Sequence, residues 1–215
     1  MKLYSYFRSS ASYRVRIALQ FKSLPYEYVP VHLVRNGGEQ LSETYKHVNQ
    51  DQLVPALVDG SGVPIPQSLA IIEYLEETHP EPPLLPREPA SRAYARSLAL
   101  QIACEIHPLN NLRVLKYLTG TLGVSEEAKS AWYRHWVEVG FATLEARLAS
   151  DSRTGSFCYG DAPTLADLCL IPQVFNAHRF SIDVGHYPTL ARINANALRL
   201  EAFAQAAPDR QPDAA

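Results

Sequence analysis

Four prolines in seven residues, within His79-Pro80-Glu81-Pro82-Pro83-Leu84-Leu85-Pro86, constrain this chain more than any other stretch. A proline has no backbone N–H and a fixed φ, so neither a helix nor a centrally paired strand can run through such a segment. The segment is stiff and extended, and it separates two kinds of sequence. Residues 1–80 read as one unit, residues 81–90 as a linker and residues 91–215 as a second unit.

Before the prolines, short strand and helix patterns alternate. Lys2–Phe7 reads as a strand, and Tyr13–Lys22 as a helix whose apolar face carries Val15, Ile17, Ala18, Leu19 and Phe21. Tyr26–Val31 is β-branched and aromatic, hence a second strand. Ala56-Leu57-Val58 and Val63-Pro64-Ile65 flank Asp59-Gly60-Ser61-Gly62, which predicts a hairpin. Ser68 is placed to cap a helix running through Glu77. This order predicts an α/β unit, a mixed sheet with helices packed on it.

After the prolines the periodicity is helical throughout, and the second unit reads as all-α. Helices are expected over roughly Ser91–Leu118, Ser125–Ala149, Thr164–His178 and Pro188–Ala206, with Pro108 interrupting the first. Thr164-Leu165-Ala166-Asp167 has the spacing of a capping box, with Asp in place of Glu. The end, Ala207–Ala215, is rich in Pro, Asp and Ala and is expected to be poorly ordered.

A formal net charge of −2 gives no electrostatic case for nucleic acid or an anionic membrane. No apolar run approaches the ~20 residues of a membrane span. Ser5, Arg8, Ser9 and Ser10 break the apolar stretch that a signal peptide needs, so a cytoplasmic location is expected. Cys104, Cys158 and Cys169 are too few and too scattered for a disulfide framework, and they read as small buried thiols. Cys104 and His107 have a ligand-like spacing, but no second pair completes a metal site.

Chemistry is suggested first at Ser9-Ser10-Ala11-Ser12-Tyr13-Arg14-Val15-Arg16, where the first strand gives way to a helix. A helix start offers unpaired N–H groups and a partial positive charge, which favour an anion and lower the pKa of a thiol. Position 11 is Ala, so a thiolate working here must arrive on a ligand. Gln67-Ser68 opens the next helix, either as a simple cap or as a cradle for a carboxylate. Val54-Pro55 reads by itself as a strand-start proline. His107 and Asn111, four apart on an expected helix, can share a face across Pro108. Arg14 and Arg16 flank an apolar helix face and are expected to meet solvent or a partner subunit.

These strings, taken in order, resemble the zeta class of the glutathione transferases over essentially the whole chain. The resemblance is carried by Ser9-Ser10-x-Ser12-x-Arg14-Val15-Arg16-Ile17-Ala18-Leu19, Pro30-Val31-His32-Leu33 and Asn49-Gln50-x-x-Leu53-Val54-Pro55-Ala56-Leu57. Gln67-Ser68-x-Ala70-Ile71-Ile72-Glu73-Tyr74-Leu75, Ile106-His107-Pro108-x-Asn110-Asn111 and Gly160-Asp161-x-Pro163-Thr164-Leu165-Ala166-Asp167 complete it. It implies a thioredoxin-like glutathione-binding domain, an all-helical C-terminal domain, a homodimer and a cis Pro55. It also implies glutathione-dependent cis–trans isomerisation of maleylacetoacetate to fumarylacetoacetate by reversible thiolate addition, with the smaller acid maleylpyruvate as the alternative substrate. A general conjugating transferase and a non-catalytic glutathione-fold scaffold are the rival readings.

Carried onto these positions, the resemblance makes Ser9 or Ser10 the donor to the glutathione sulfur, with Ser9 the nearer match. Val54 would pair with the cysteinyl backbone, assisted by Gln52, and Gln67 and Ser68 would hold the γ-glutamyl carboxylate. His107 and Asn111 would add contacts to glutathione from the second domain. Arg8 and Arg179 would take the substrate's carboxylates, for which a guanidinium fork offers two parallel N–H···O bonds. Family members typically carry Cys at position 11 and often Trp or His at position 13, where this chain has Ala11 and Tyr13.

Overall fold

The computed structural model describes residues 1–214. They form two compact units, residues 1–84 together with 198–214, and residues 85–197. The first unit is built on β1 (Lys2–Ser5), α1 (Ser10–Phe21), β2 (Glu27–Pro30), α2 (Glu43–Lys46), β3 (Ala56–Val58), β4 (Pro64–Pro66) and α3 (Ser68–Thr78). Its sheet has the order β2-β1-β3-β4, with β1 and β2 parallel and the other pairs antiparallel. Alternation along β1 buries Leu3 and Ser5, and Leu3 lies opposite Leu57 of β3. α1 packs on α3, and the fully buried Val15, Ile17, Ala18 and Leu19 supply its apolar side. The predicted hairpin forms between β3 and β4: the Asp59 carboxylate accepts from the Ser61 N–H at 2.8 Å, and Gly62 takes φ +77°.

The proline segment is tied down from within the first unit. Lys22 closes α1 and has no exposed side-chain surface. Its ammonium donates to Glu76 Oε2 at 2.8 Å and to the carbonyls of His79 and Pro82 at 2.7 and 2.9 Å. Glu76 in turn accepts from the Leu84 N–H at 3.0 Å. One buried ion pair thus satisfies polar groups of a segment whose prolines cannot bond to themselves.

The second unit carries α4 (Pro89–Leu100), α5 (Leu112–Gly120), α6 (Glu126–Ser150), α7 (Leu165–Arg179) and all but the last residue of α8 (Pro188–Leu198). The helix expected over Ser91–Leu118 is broken, as Pro108 demands. A π-turn over Gln101–Ile106 and a 3₁₀ turn over Pro108–Asn110 separate α4 from α5. Gly140 of α6 lies so close to Ile106 that any Cβ there would collide with the isoleucine side chain. Ser125 caps α6, and the Thr164/Asp167 capping box starts α7.

Four expectations are corrected. The helix predicted over Pro188–Ala206 is two, α8 and α9 (Glu201–Gln205), broken where Leu200 is extended, and α9 belongs to the first unit. Arg14 and Arg16 meet neither solvent nor a partner surface: they are 2% and 0% exposed. Cys104 is exposed, whereas Cys158 and Cys169 are buried. Residues 207–214 pack onto the first unit, with Pro208 and Gln211 buried and the Asp213 carboxylate accepting from the Phe7 N–H at 3.1 Å and the Tyr28 hydroxyl at 2.6 Å, while Ala215 lies outside the described residues. Composition misjudged this end because its anchors are buried polar partners far away in sequence.

Glu76→Ala is expected to cost about 3–5 kcal/mol of stability, since it strands a buried ammonium. Denaturant unfolding measures it.

Candidate functional site

The loop between β1 and α1 places Ser9 as the N-cap of α1, in extended backbone at φ −68° and ψ 116°. Its hydroxyl oxygen accepts from the Ser12 N–H at 3.2 Å, and its amide donates to the Tyr6 carbonyl at 2.9 Å. Capping uses one lone pair of the hydroxyl and leaves the O–H free to donate elsewhere. Ser10 is the first helical residue and only 5% exposed, so Ser9 is the serine presented at the helix start. Arg8, beside it, is exposed, its guanidinium 4.9 Å from the centre of the Phe7 ring.

Val54 packs in an apolar cluster with Tyr6, Phe7, Val31 and Tyr45, which joins it to the loop that carries Ser9. The Val54–Pro55 bond is cis, as the resemblance implies. The Tyr45 hydroxyl and the Asn49 side-chain amide hold the preceding Leu53 carbonyl at 2.6 and 2.8 Å. Among the described residues the backbone N–H and C=O of Val54 take no partner, so they can pair with an extended ligand. Gln52 sits in the left-handed region at φ +56°, its N–H on the Asn49 carbonyl at 3.0 Å.

At α3 the cap shifts by one residue from the expected Ser68. Gln67 is the N-cap, at φ +69° and ψ 117°, and its side chain makes no capping bond. Positive φ in a non-glycine residue is strained, and such strain concentrates at ligand sites. Ser68 is the first helical residue, and its hydroxyl accepts instead from Arg14 Nη1 at 3.3 Å. The Nε and Nη2 groups of this buried arginine have no hydrogen-bond partner among the described residues. A helix N-terminus without a capping side chain, backed by a guanidinium with unused donors, is a wall built for an anion.

His107, Asn111 and Arg179 lie on the second unit. His107 and Asn111 do not share a helix: His107 ends the π-turn, and Asn111 is extended at φ −63° and ψ 144°. Pro108 breaks the periodicity between them, and Asn111 caps α5 by accepting from the Arg113 N–H at 3.1 Å. Arg179 closes α7, donating to Asn176 Oδ1 at 3.3 Å, with its guanidinium 5.9 Å from the centre of the Phe180 ring. Phe180 stacks on Tyr133 at 3.5 Å and 8°.

Known proteins resemble this chain over its length. Residues 3–83 match the family described as "Glutathione S-transferase, N-terminal domain". A Vibrio cholerae protein named "Probable maleylacetoacetate isomerase" is 53% identical over 212 residues, covering 99% of this chain and 97% of its own. The chain belongs to the glutathione transferase family. A solved structure described as a holo maleylpyruvate isomerase, "a bacterial glutathione-s-transferase in Zeta class", matches at TM-score 0.96 and 47% identity, covering 100% of both chains. A maleylacetoacetate isomerase of Methylobacterium extorquens AM1, solved with malonate and glutathione, matches at TM-score 0.96 and 46% identity, again over 100% of both.

The first unit of this transferase fits glutathione on its own evidence: a free serine O–H, an unpaired peptide edge and an anion wall. Arg14 and Asn176 were not singled out as site residues in the sequence. Arg14 stands in the first of the matched motifs, but only folding shows that it reaches Ser68. Asn176, three residues before Arg179, is a helical neighbour that spacing alone could have nominated.

In the ligand-free protein, Arg14→Met is expected to leave stability unchanged or raise it by about 1–2 kcal/mol, because it removes a buried cation with unused donors. Chemical denaturation checks this, and a clear loss would make the guanidinium a structural prop.

Proposed function

We propose that this transferase is a glutathione-dependent cis–trans isomerase converting maleylacetoacetate to fumarylacetoacetate, a step of tyrosine breakdown, as a cytoplasmic homodimer. The observation that carries the reading is the Ser9 hydroxyl, held by the Ser12 amide with its own O–H free, in a chain with Ala at position 11. Glutathione, when bound, supplies the sulfur nucleophile whose reversible addition to the conjugated cis double bond frees that bond to rotate. The high identity to relatives named for maleylacetoacetate supports the substrate. Maleylpyruvate is the second candidate, because a structure matching end to end is named for that acid.

Ser9 donates to the sulfur and favours its ionised form. Moving a thiol pKa from ~8.5 to ~6.5 requires ~2.7 kcal/mol. A hydrogen bond to a charged group contributes ~1.5–3 kcal/mol and the α1 dipole ~0.3–1 kcal/mol, so together they cover the requirement. Val54, with Gln52 in the same loop, pairs with the tripeptide backbone, while Gln67, Ser68 and the charge of Arg14 hold its γ-glutamyl carboxylate. Arg8, exposed beside Ser9, offers its guanidinium to a substrate carboxylate, and in the second unit Asn176 steadies the guanidinium of Arg179, the other arginine proposed for such a carboxylate. No described helix is long and apolar enough to cross a membrane.

Ser9→Ala is expected to lower kcat about 10- to 100-fold, the equivalent of one hydrogen bond to a charged sulfur, with glutathione still bound. Assays of purified protein with each maleyl acid, with and without glutathione, read this; turnover without glutathione, or an unaffected variant, overturns the assignment. Arg14→Met is expected to weaken glutathione about tenfold by calorimetry, through loss of a charged partner for the carboxylate.

A further inference from the structure

We propose that Asp213 is a positioning residue for the isomerisation, its carboxylate fixing the peptide plane from which the Ser9 amide hangs. The inference rests on the reading of Ser9 as the donor to the glutathione sulfur.

One peptide unit, between Tyr6 and Phe7, is gripped at both ends. Its carbonyl, that of Tyr6, accepts from Arg16 Nη1 at 3.3 Å and from the Ser9 N–H at 2.9 Å. Its N–H, that of Phe7, donates to Asp213 Oδ2 at 3.1 Å. A peptide unit is planar, so its two ends turn together: what holds the N–H holds the carbonyl, and with it the amide of Ser9. The next carbonyl, of Phe7, is taken by Arg16 Nη2 at 3.0 Å, so the arginine grips the loop from the carbonyl side alone. Asp213 supplies the grip on the N–H. Its other oxygen accepts from the Tyr28 hydroxyl at 2.6 Å, which anchors the carboxylate to β2 rather than to the loop. Ala214 packs against the cluster that holds Tyr6 and Phe7, keeping the segment in place.

Without that carboxylate the plane is held from its carbonyl side alone, by Arg16 and the Ser9 N–H, so it can tilt and shift the Ser9 cap relative to the sulfur. Displacements well under an ångström cost rate because the hydrogen bond to developing charge is geometric.

The test is the pKa of bound glutathione's thiol, followed by the ultraviolet absorbance of the thiolate against pH, together with kcat and the glutathione Kd. Asp213→Ala is expected to raise that pKa by about one unit and to lower kcat about tenfold below it, with Kd within about twofold. Asp213→Asn, isosteric but uncharged, is expected to shift both in the same direction by less, and it decides the matter if the alanine variant does not fold. Tyr28→Phe removes the carboxylate's other donor but keeps its bond to the Phe7 N–H, and is expected to lower Tm while moving the thiol pKa by less than half as much as Asp213→Ala. Asp213 variants that lower Tm but keep the wild-type thiol pKa and kcat overturn the inference and leave Ser9's role standing. A thiol pKa moved equally by Tyr28→Phe also overturns it, since the effect is then a general loosening. A wild-type protein that binds no glutathione thiolate overturns the parent reading, and this inference with it.

Discussion

The guanidinium of Arg16, with no exposed surface, is the point on which the first unit turns. Its Nε donates to the Ala206 carbonyl at 2.9 Å, and its two terminal nitrogens reach Ser5 Oγ and the carbonyls of Tyr6 and Phe7. One side chain on α1 therefore joins the end of β1, the loop before α1 and the returning C-terminal segment. Burial lowers its pKa from the ordinary value, and neighbouring Tyr28, Tyr26, Tyr13 and Asp213 oppose that drop. A buried cation is costly unless its donors are used, and here every acceptor is one that the fold must place anyway. This is why α9 and residues 206–214 belong to the first unit although five helices, α4 to α8, intervene in the chain.

What could be read from the sequence was local. The hairpin at Asp59–Gly62, the break at Pro108, the Thr164 capping box and the alternation of strand and helix before the prolines each depend on neighbours within a few residues. What was misread depended on distant partners. Arg14 and Arg16 look like surface residues until the carbonyls and hydroxyl that receive them are in view. The chain end looked loose because Phe7 and Tyr28, which hold Asp213, lie at the other end of the sequence. The site itself was legible as a set of motifs rather than as geometry: Ser9 caps α1 and Val54 precedes a cis proline, while Gln67 took the cap from Ser68, whose hydroxyl faces Arg14. His107 and Asn111 lost their shared face to Pro108, a residue whose effect was foreseeable but whose outcome, a π-turn and a 3₁₀ turn, was not.

The costs in the ligand-free first unit gather along one wall. Gln67 holds a strained φ, Val54 leaves both backbone groups without a partner, and Arg14 keeps two donors unused beside an uncapped helix start. Each is unfavourable alone, and a sequence selected only for stability has easy remedies: glycine at 67, an apolar residue at 14, a capping side chain on α3. Their joint presence is economical if one ligand answers all three, and an extended peptide that bears a carboxylate does. On the proposed reading its backbone would pair with Val54, and its anion would meet the α3 terminus and the charge of Arg14. Neither partner need be reorganised on arrival, since the Leu53 carbonyl and Ser68 hydroxyl are already held in place. The same logic makes Ala11 intelligible. A wall that recruits a thiol-bearing peptide needs only a hydroxyl at the helix start, and the Ser9 cap supplies it without a cysteine of the chain's own.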